Sequence, residues 1–232
     1  MVTARWNRAQ IAEKRFWLQN RPRWSVQNSN RYWRGILEHG FNLDYKHFEG
    51  KSILEVGCGP TGIIFELDNC KFRAGLEPMD LEGLINDSNK KLIVKKGIGE
   101  EMPFEDGIFD IVVSFNSLDH SSEPAKVIQE VHRVLRRDGE LLLWIYVLQE
   151  KYRFLRGMLN RFDKPHPNHF TKDDLAATLE NYFDIMYHKE EEGTGLPNNT
   201  VKKAIANQMM KTLWIRSKKK TQTRLDSFRV PS

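Results

Sequence analysis

The chain has 232 residues, 40% hydrophobic and 29% charged, which is enough apolar material for one core with additions and too much for a disordered chain. Cys58 and Cys70 are the only cysteines, which excludes a disulfide scaffold and a four-cysteine zinc site. The longest apolar run, 141–148, is far short of a membrane span, and the first residues lack the apolar stretch of a secretory signal, so a soluble cytoplasmic protein is expected. The net charge of +5 is unevenly spread. Residues 1–34 carry eight Lys/Arg against Glu13 alone, and 216–232 carry six against Asp226 alone, which leaves the middle acidic. Basic ends suit nucleic-acid phosphate or an anionic surface, and equally serve as solvated tails.

Residues 1–50 read as an aromatic, basic helical segment. Trp6, Ala9, Glu13, Phe16 and Trp17 fit one helix face, and RYWRGILEHGF (31–41) fits a second helix. Four of the six tryptophans, Trp6, Trp17, Trp24 and Trp33, lie here among arginines. Such rings pack against a main domain or stack on bases and sugars, and a lid over a pocket is compatible with either use.

From Lys51 onward, apolar runs alternate with amphipathic stretches. SILEVG (52–57), FRAGLE (72–77), KLIVKKG (91–97), FDIVVSF (109–115) and ELLLWIYVL (140–148) read as strands, several of them continuously apolar as in parallel strands covered on both faces. EPAKVIQEVHRVLRRDG (123–139) reads as a helix with Pro124 in its first turn, Arg136 and Arg137 at its C-terminus and Gly139 as its stop. A helical stripe from Tyr152 to Phe162 and the Pro-punctuated loop DKPHPNHF (163–170) form an insertion at 150–183 after the fifth strand. Thr171 and Asp174 form a capping box that opens a helix running toward Phe183. DIMYHK (184–189) and MKTLWIRSK (210–218) are the last strands, with a helix around 199–208 between them and a basic, mobile tail at 219–232. The expected fold is α/β: a Rossmann-like, doubly wound, seven-stranded sheet, mostly parallel with an antiparallel last strand, spanning 51–218.

Gly57, Gly59 and Gly62 spell G-x-G-x-x-G after the first strand and before an expected helix, and Glu77 follows twenty residues after Gly57. Taken literally this is a dinucleotide fingerprint with Glu77 on a ribose. Glu55 argues against a nicotinamide-dependent oxidoreductase. A carboxylate beside the loop repels a pyrophosphate, whereas it attracts a ligand bearing an ammonium and a sulfonium. A solvated strand end is the plain alternative for Glu55.

EVGCGPTG (55–62) resembles motif I of the class I S-adenosylmethionine-dependent methyltransferases, and GLEP (75–78) resembles the acidic end of their second strand. GIGEEMPFEDGIFDIVVSFNSLDH (97–120) and EVHRVLRRDGELLL (130–143) resemble later segments of the small-molecule branch, so the likeness runs over 51–148. It implies S-adenosylmethionine as cofactor. Glu55, Gly57 and Gly59, with Cys58 between them, would then meet the methionine half; Glu77 the ribose; Pro78 and Met79 the adenine faces; Gly99 and Glu100 the adenine edge; Asn116 and Ser117 the methyl donor. The sequence departs from the pattern at the spacing of its third glycine, at Ile98 where an Asp is usual, and at RRDG in place of KPGG.

Methyl transfer is an in-line displacement, and a hydroxyl acceptor gains from a general base matched to neutral pH. His120, just past the fourth strand, ranks first, His169 and His166 next, and Asp119 is an orienting partner or alternative base. A hydrogen-bonded or surface histidine is the plain alternative for each, and His132 reads as structural. Asp119, His120 and a loop histidine are compatible with a divalent metal, but the spacing does not demand one, and no metal is assigned. Cys58 reads as a packed residue rather than a nucleophile.

The leading reading is therefore a methyltransferase acting on a small molecule or sugar, with O-methylation favoured. The A-Q-x-x-E-x-x-F-W stretch (9–17) and HPNHFT (166–171) resemble methyltransferases of polysaccharide pathways. RNA or a tRNA nucleoside is the alternative acceptor, and a non-catalytic nucleotide-binding protein of the same fold is the alternative from another class.

Overall fold

The computed structural model describes residues 4–20, 26–81, 92–163, 166–194 and 200–221. Trp24 and most of the basic tail, 222–232, lie outside them. Seven strands, β1 (Ser52–Val56), β2 (Phe72–Glu77), β3 (Leu92–Lys96), β4 (Phe109–Phe115), β5 (Leu135–Leu148), β6 (Phe183–Glu192) and β7 (Met210–Lys219), form one sheet in the order β3-β2-β1-β4-β5-β7-β6. The pairs through β3, β2, β1, β4 and β5 are parallel, and β7 runs antiparallel to both β5 and β6. The order reverses between β1 and β4, the place where open α/β sheets bind ligands beyond their carboxyl ends.

Alternate residues of the central strands face opposite sides, and each side is covered differently. Leu54, Val112, Leu141 and Leu143 pack with Val127, Ile128 and Val131 of helix α3 (Pro124–Val134) and with Leu175 and Leu179 of helix α5 (Lys172–Glu180). The opposite side, with Ile53, Ile111, Val113 and Leu142, is covered by Trp33, Leu37 and Phe41 from helix α2 (Val26–Gly35) and the π-helical turn that follows it. Helix α1 (Ala4–Asn20) precedes them, and α4 (Arg156–Phe162) and α6 (Val201–Met209) complete the set. The capping box at α5 forms as expected, with Thr171 accepting from the Asp174 N–H and Asp174 accepting from the Thr171 N–H.

Two expectations are corrected. No α-helix follows the glycine loop: only residues 63–71 separate Gly62 from β2, and they make a single 3-10 turn at Ile63–Phe65. That span is too short for a crossover helix, so α2 and the π-helical turn occupy the face it would have covered. Helix α3 also stops at Val134 rather than Gly139, because Leu135 is already extended and paired with Phe109. Arg136 consequently serves an ion pair with Asp110, at 2.6 Å, instead of the helix terminus.

Candidate active site

The glycine loop is tied to the strand ends on both sides. Gly57 (φ +72°) donates to the Leu76 carbonyl at 2.8 Å, and a side chain there would collide with Ser117 past β4. Glu55, 1% exposed, turns its carboxylate into the loop, accepting from Ile64 N at 2.9 Å and Ile63 N at 3.3 Å. Burial pushes its pKa up to about 8 against those two donors. Its visible partners are thus the loop's own backbone. The third glycine, Gly62, leaves the space in which that carboxylate sits.

Glu77, at the end of β2, is also buried. Its Oε2 accepts from Gly59 N at 2.9 Å and its Oε1 from Met79 N at 3.0 Å, while burial raises its pKa to about 6. Met79 is buried and Pro78 half-buried beside it. Cys58 is buried against Gly75 of β2, and burial holds its thiol well above the usual range, which disfavours the thiolate.

At the end of β4, Asn116 takes a left-handed conformation (φ +52°), and its Oδ1 is buried without a hydrogen-bond partner. Ser117 donates to the Val56 carbonyl at 2.7 Å and bridges β1 to β4. Gly99 packs against Val127 of α3, and Glu100 accepts from Ser122 N and Glu123 N at the start of that helix. Both contacts are structural in character.

Beyond Ser117 a short turn carries Asp119, which is buried, and His120, which is half-buried; His120 Nε2 stands 3.9 Å from Asp119 Oδ1. The insertion folds over this turn because Asn168 donates to the carbonyls of Asp119 and Ser121. That brings His166 against His120, ring centres 4.8 Å apart, with His166 Nδ1 3.2 Å from Asp163. Burial alone would lower the His166 pKa, but Asp163, Asp119 and Glu13 outweigh it and raise it. His169 lies one layer back, held by Asn160 and 3.6 Å from Asp163. His166, not the higher-ranked His169, is therefore the loop histidine at the cluster. His132 packs on Tyr182 and Phe183, as a structural residue would.

Residues 54–143 match the family described as "Methyltransferase domain". Over those residues the chain carries a methyltransferase domain. It is 25% identical over 173 residues to a tRNA U34 carboxymethyltransferase of Campylobacter curvus, covering 69% of this chain and 58% of that one. It is 30% identical over 131 residues to a sterol 24-C-methyltransferase of Schizosaccharomyces pombe, covering 51% and 34%. The chain thus spans about half or less of these curated relatives. In fold it resembles a Thermotoga maritima protein described as an S-adenosylmethionine-dependent methyltransferase, with a TM-score of 0.59 at 17% identity, covering 93% of this chain and 100% of that one.

The residues of this crevice fit S-adenosylmethionine. The orphaned Asn116 Oδ1 is an acceptor that an ammonium group would satisfy. The Glu77 carboxylate keeps lone pairs for hydroxyls beyond its two backbone donors. Helix α1 covers this crevice. Trp17 lies 3.5 Å from where a side chain on Gly59 would begin, and Glu13 Oε2 is 4.0 Å from His120 Nδ1. The aromatic face of α1 was legible in the sequence; the placement of Glu13 was not, because nothing local links residues 13 and 120. Tyr146 of β5, half-buried and with its pKa pushed up to about 12 by desolvation and by Asp119, is a second residue the sequence did not flag.

Proposed function

We propose that the domain methylates a hydroxyl of a small molecule or sugar. The observation that carries this reading is the Asp119–His120 pair at the carboxyl edge of β4, beside Asn116 and below the insertion. In this reading Glu77 receives the ribose hydroxyls, Pro78 and Met79 flank the adenine, and the Gly57–Gly59 backbone and Asn116 receive the methionine end. Glu55 acts by holding the loop in shape. The cofactor supplies an electrophilic methyl group. His120 accepts the hydroxyl proton as the acceptor oxygen becomes nucleophilic, and the Asp119 charge stabilises the imidazolium. Helix α1 forms the lid, with Trp17 and Glu13 closing the crevice against water.

A tRNA acceptor is the second reading, favoured by the name of the Campylobacter curvus relative and by the exposed Lys14 and Arg15 on α1. One experiment separates the two. Purified protein is incubated with methyl donor and either a small-metabolite extract or total tRNA, and products are analysed by mass spectrometry. A small hydroxylic metabolite gaining one CH2 unit is expected; modification of tRNA alone would overturn the small-molecule reading.

A further inference from the structure

We propose that Asp119, His120 and His166 bind one divalent first-row transition-metal ion. One donor atom from each residue lies within 4.8 Å of the other two. Two ligand atoms each about 2.1 Å from an ion stand at most about 4.2 Å apart. The Asp119 Oδ1 to His120 Nε2 separation of 3.9 Å already meets that limit, and a small closure of His166 completes the set.

Two further observations point to a cation. Asp119 Oδ1 is buried and has no hydrogen-bond donor, in a side chain only 6% exposed. A buried carboxylate oxygen in that state is costly unless a positive charge meets it. Asp163, in turn, holds one ring nitrogen of His166 at 3.2 Å and leaves the other as a ligand. A carboxylate behind a histidine in this way fixes the ring and raises its basicity toward a metal. Asn168 locks the loop on the Asp119 backbone, so His166 is pre-positioned.

Two imidazoles and a carboxylate suit zinc, cobalt, nickel, iron or manganese, and three protein ligands leave positions open. In the hydroxyl-acceptor reading above, an open position would take the acceptor oxygen. That consequence rests on the hydroxyl-acceptor reading above, and it makes His120 a ligand in place of a base. The ion binding itself does not rest on that reading.

The test uses tag-free, full-length protein stripped with a chelator, without donor or acceptor. Cobalt(II) is titrated by calorimetry and by its visible absorption. One equivalent is expected, with His166→Ala and Asp119→Asn weakening affinity at least about tenfold and Asp163→Asn weakening it in the same direction. His166 is a third exposed and lies on the insertion, so its replacement spares the core. Should Asp119→Asn fail to fold, His166→Ala and Asp163→Asn decide. Absence of saturable one-to-one binding, or unchanged affinity in the His166 and Asp163 variants, overturns the site. Methyl product without ion binding would sink this inference and spare the function proposed above; ion binding without product would do the reverse.

Discussion

Gly62 makes room for the Glu55 carboxylate: a β-carbon at position 62 would overlap Glu55 Oε2 and stand 2.5 Å from the Cys58 carbonyl oxygen. The φ of Gly62 is an ordinary −59°, so the demand for glycine is one of space. Gly62→Ala should therefore destabilise the protein by about 1–3 kcal/mol, as overpacking does. It should also weaken S-adenosylhomocysteine binding, because the loop and Glu55 must part. Denaturant melts and calorimetry read both effects; a variant with wild-type stability and affinity would contradict the packing argument.

The buried carboxyls also set a pH dependence. The folded pKa values of Glu55 and Glu77, about 8 and about 6, both exceed the 4.5 of an unperturbed Glu. Between pH 4.5 and about 6 the unfolded chain has released protons that both groups retain in the native state, and between about 6 and about 8 Glu55 alone retains one. These groups therefore make native stability fall as pH rises through that window and level off above about 8. Glu55→Gln should abolish the slope between about pH 6 and about 8 and roughly halve it between pH 4.5 and about 6, where Glu77 alone then acts. Denaturation midpoints measured from pH 5 to 9 on both proteins check this.

If the His120 imidazole acts on the acceptor, its removal should spare the donor site. His120→Ala is expected to bind S-adenosylhomocysteine normally while turnover falls by about 10²–10⁴-fold, the usual scale for losing acid–base assistance. Turnover within twofold of wild type would remove His120 from the chemistry.

Thr171 is fully buried and caps α5, which follows directly on the histidine-bearing loop. Thr171→Ala should cost about 1 kcal/mol, the typical value for a lost cap. In a chain of this size that lowers Tm by about 2–4 °C. Thermal unfolding followed by circular dichroism measures it directly, and Thr171→Ser should recover most of the loss.

Much of this architecture could be read from the chain. The bounds of β2 and β4 coincide with the runs 72–77 and 109–115, because central parallel strands covered on both faces are apolar along most of their length. The capping box was equally legible, since Thr171 and Asp174 act within one turn. What failed was longer in range. A glycine pattern implies a turn but not the helix after it, and the spacing to β2 decided against that helix. Likewise, Arg136 looks like a helix terminus until Asp110 of a neighbouring strand claims it. His166 and His169 are indistinguishable in HPNHF, and only Asn168, reaching back to Asp119, selects the first.

The missing crossover helix reaches beyond the site. Trp33, Leu37 and Phe41 precede every strand in the chain yet roof one side of the sheet, stacking on Phe115 and closing over Ile53, Ile63 and Ile111. A fragment trimmed to the matched stretch 54–143 would bare that oily surface to water and self-associate rather than refold. In the intact chain, the opening residues must wait for β4 and β5 before they find their seat, so their docking should close the folding sequence rather than begin it.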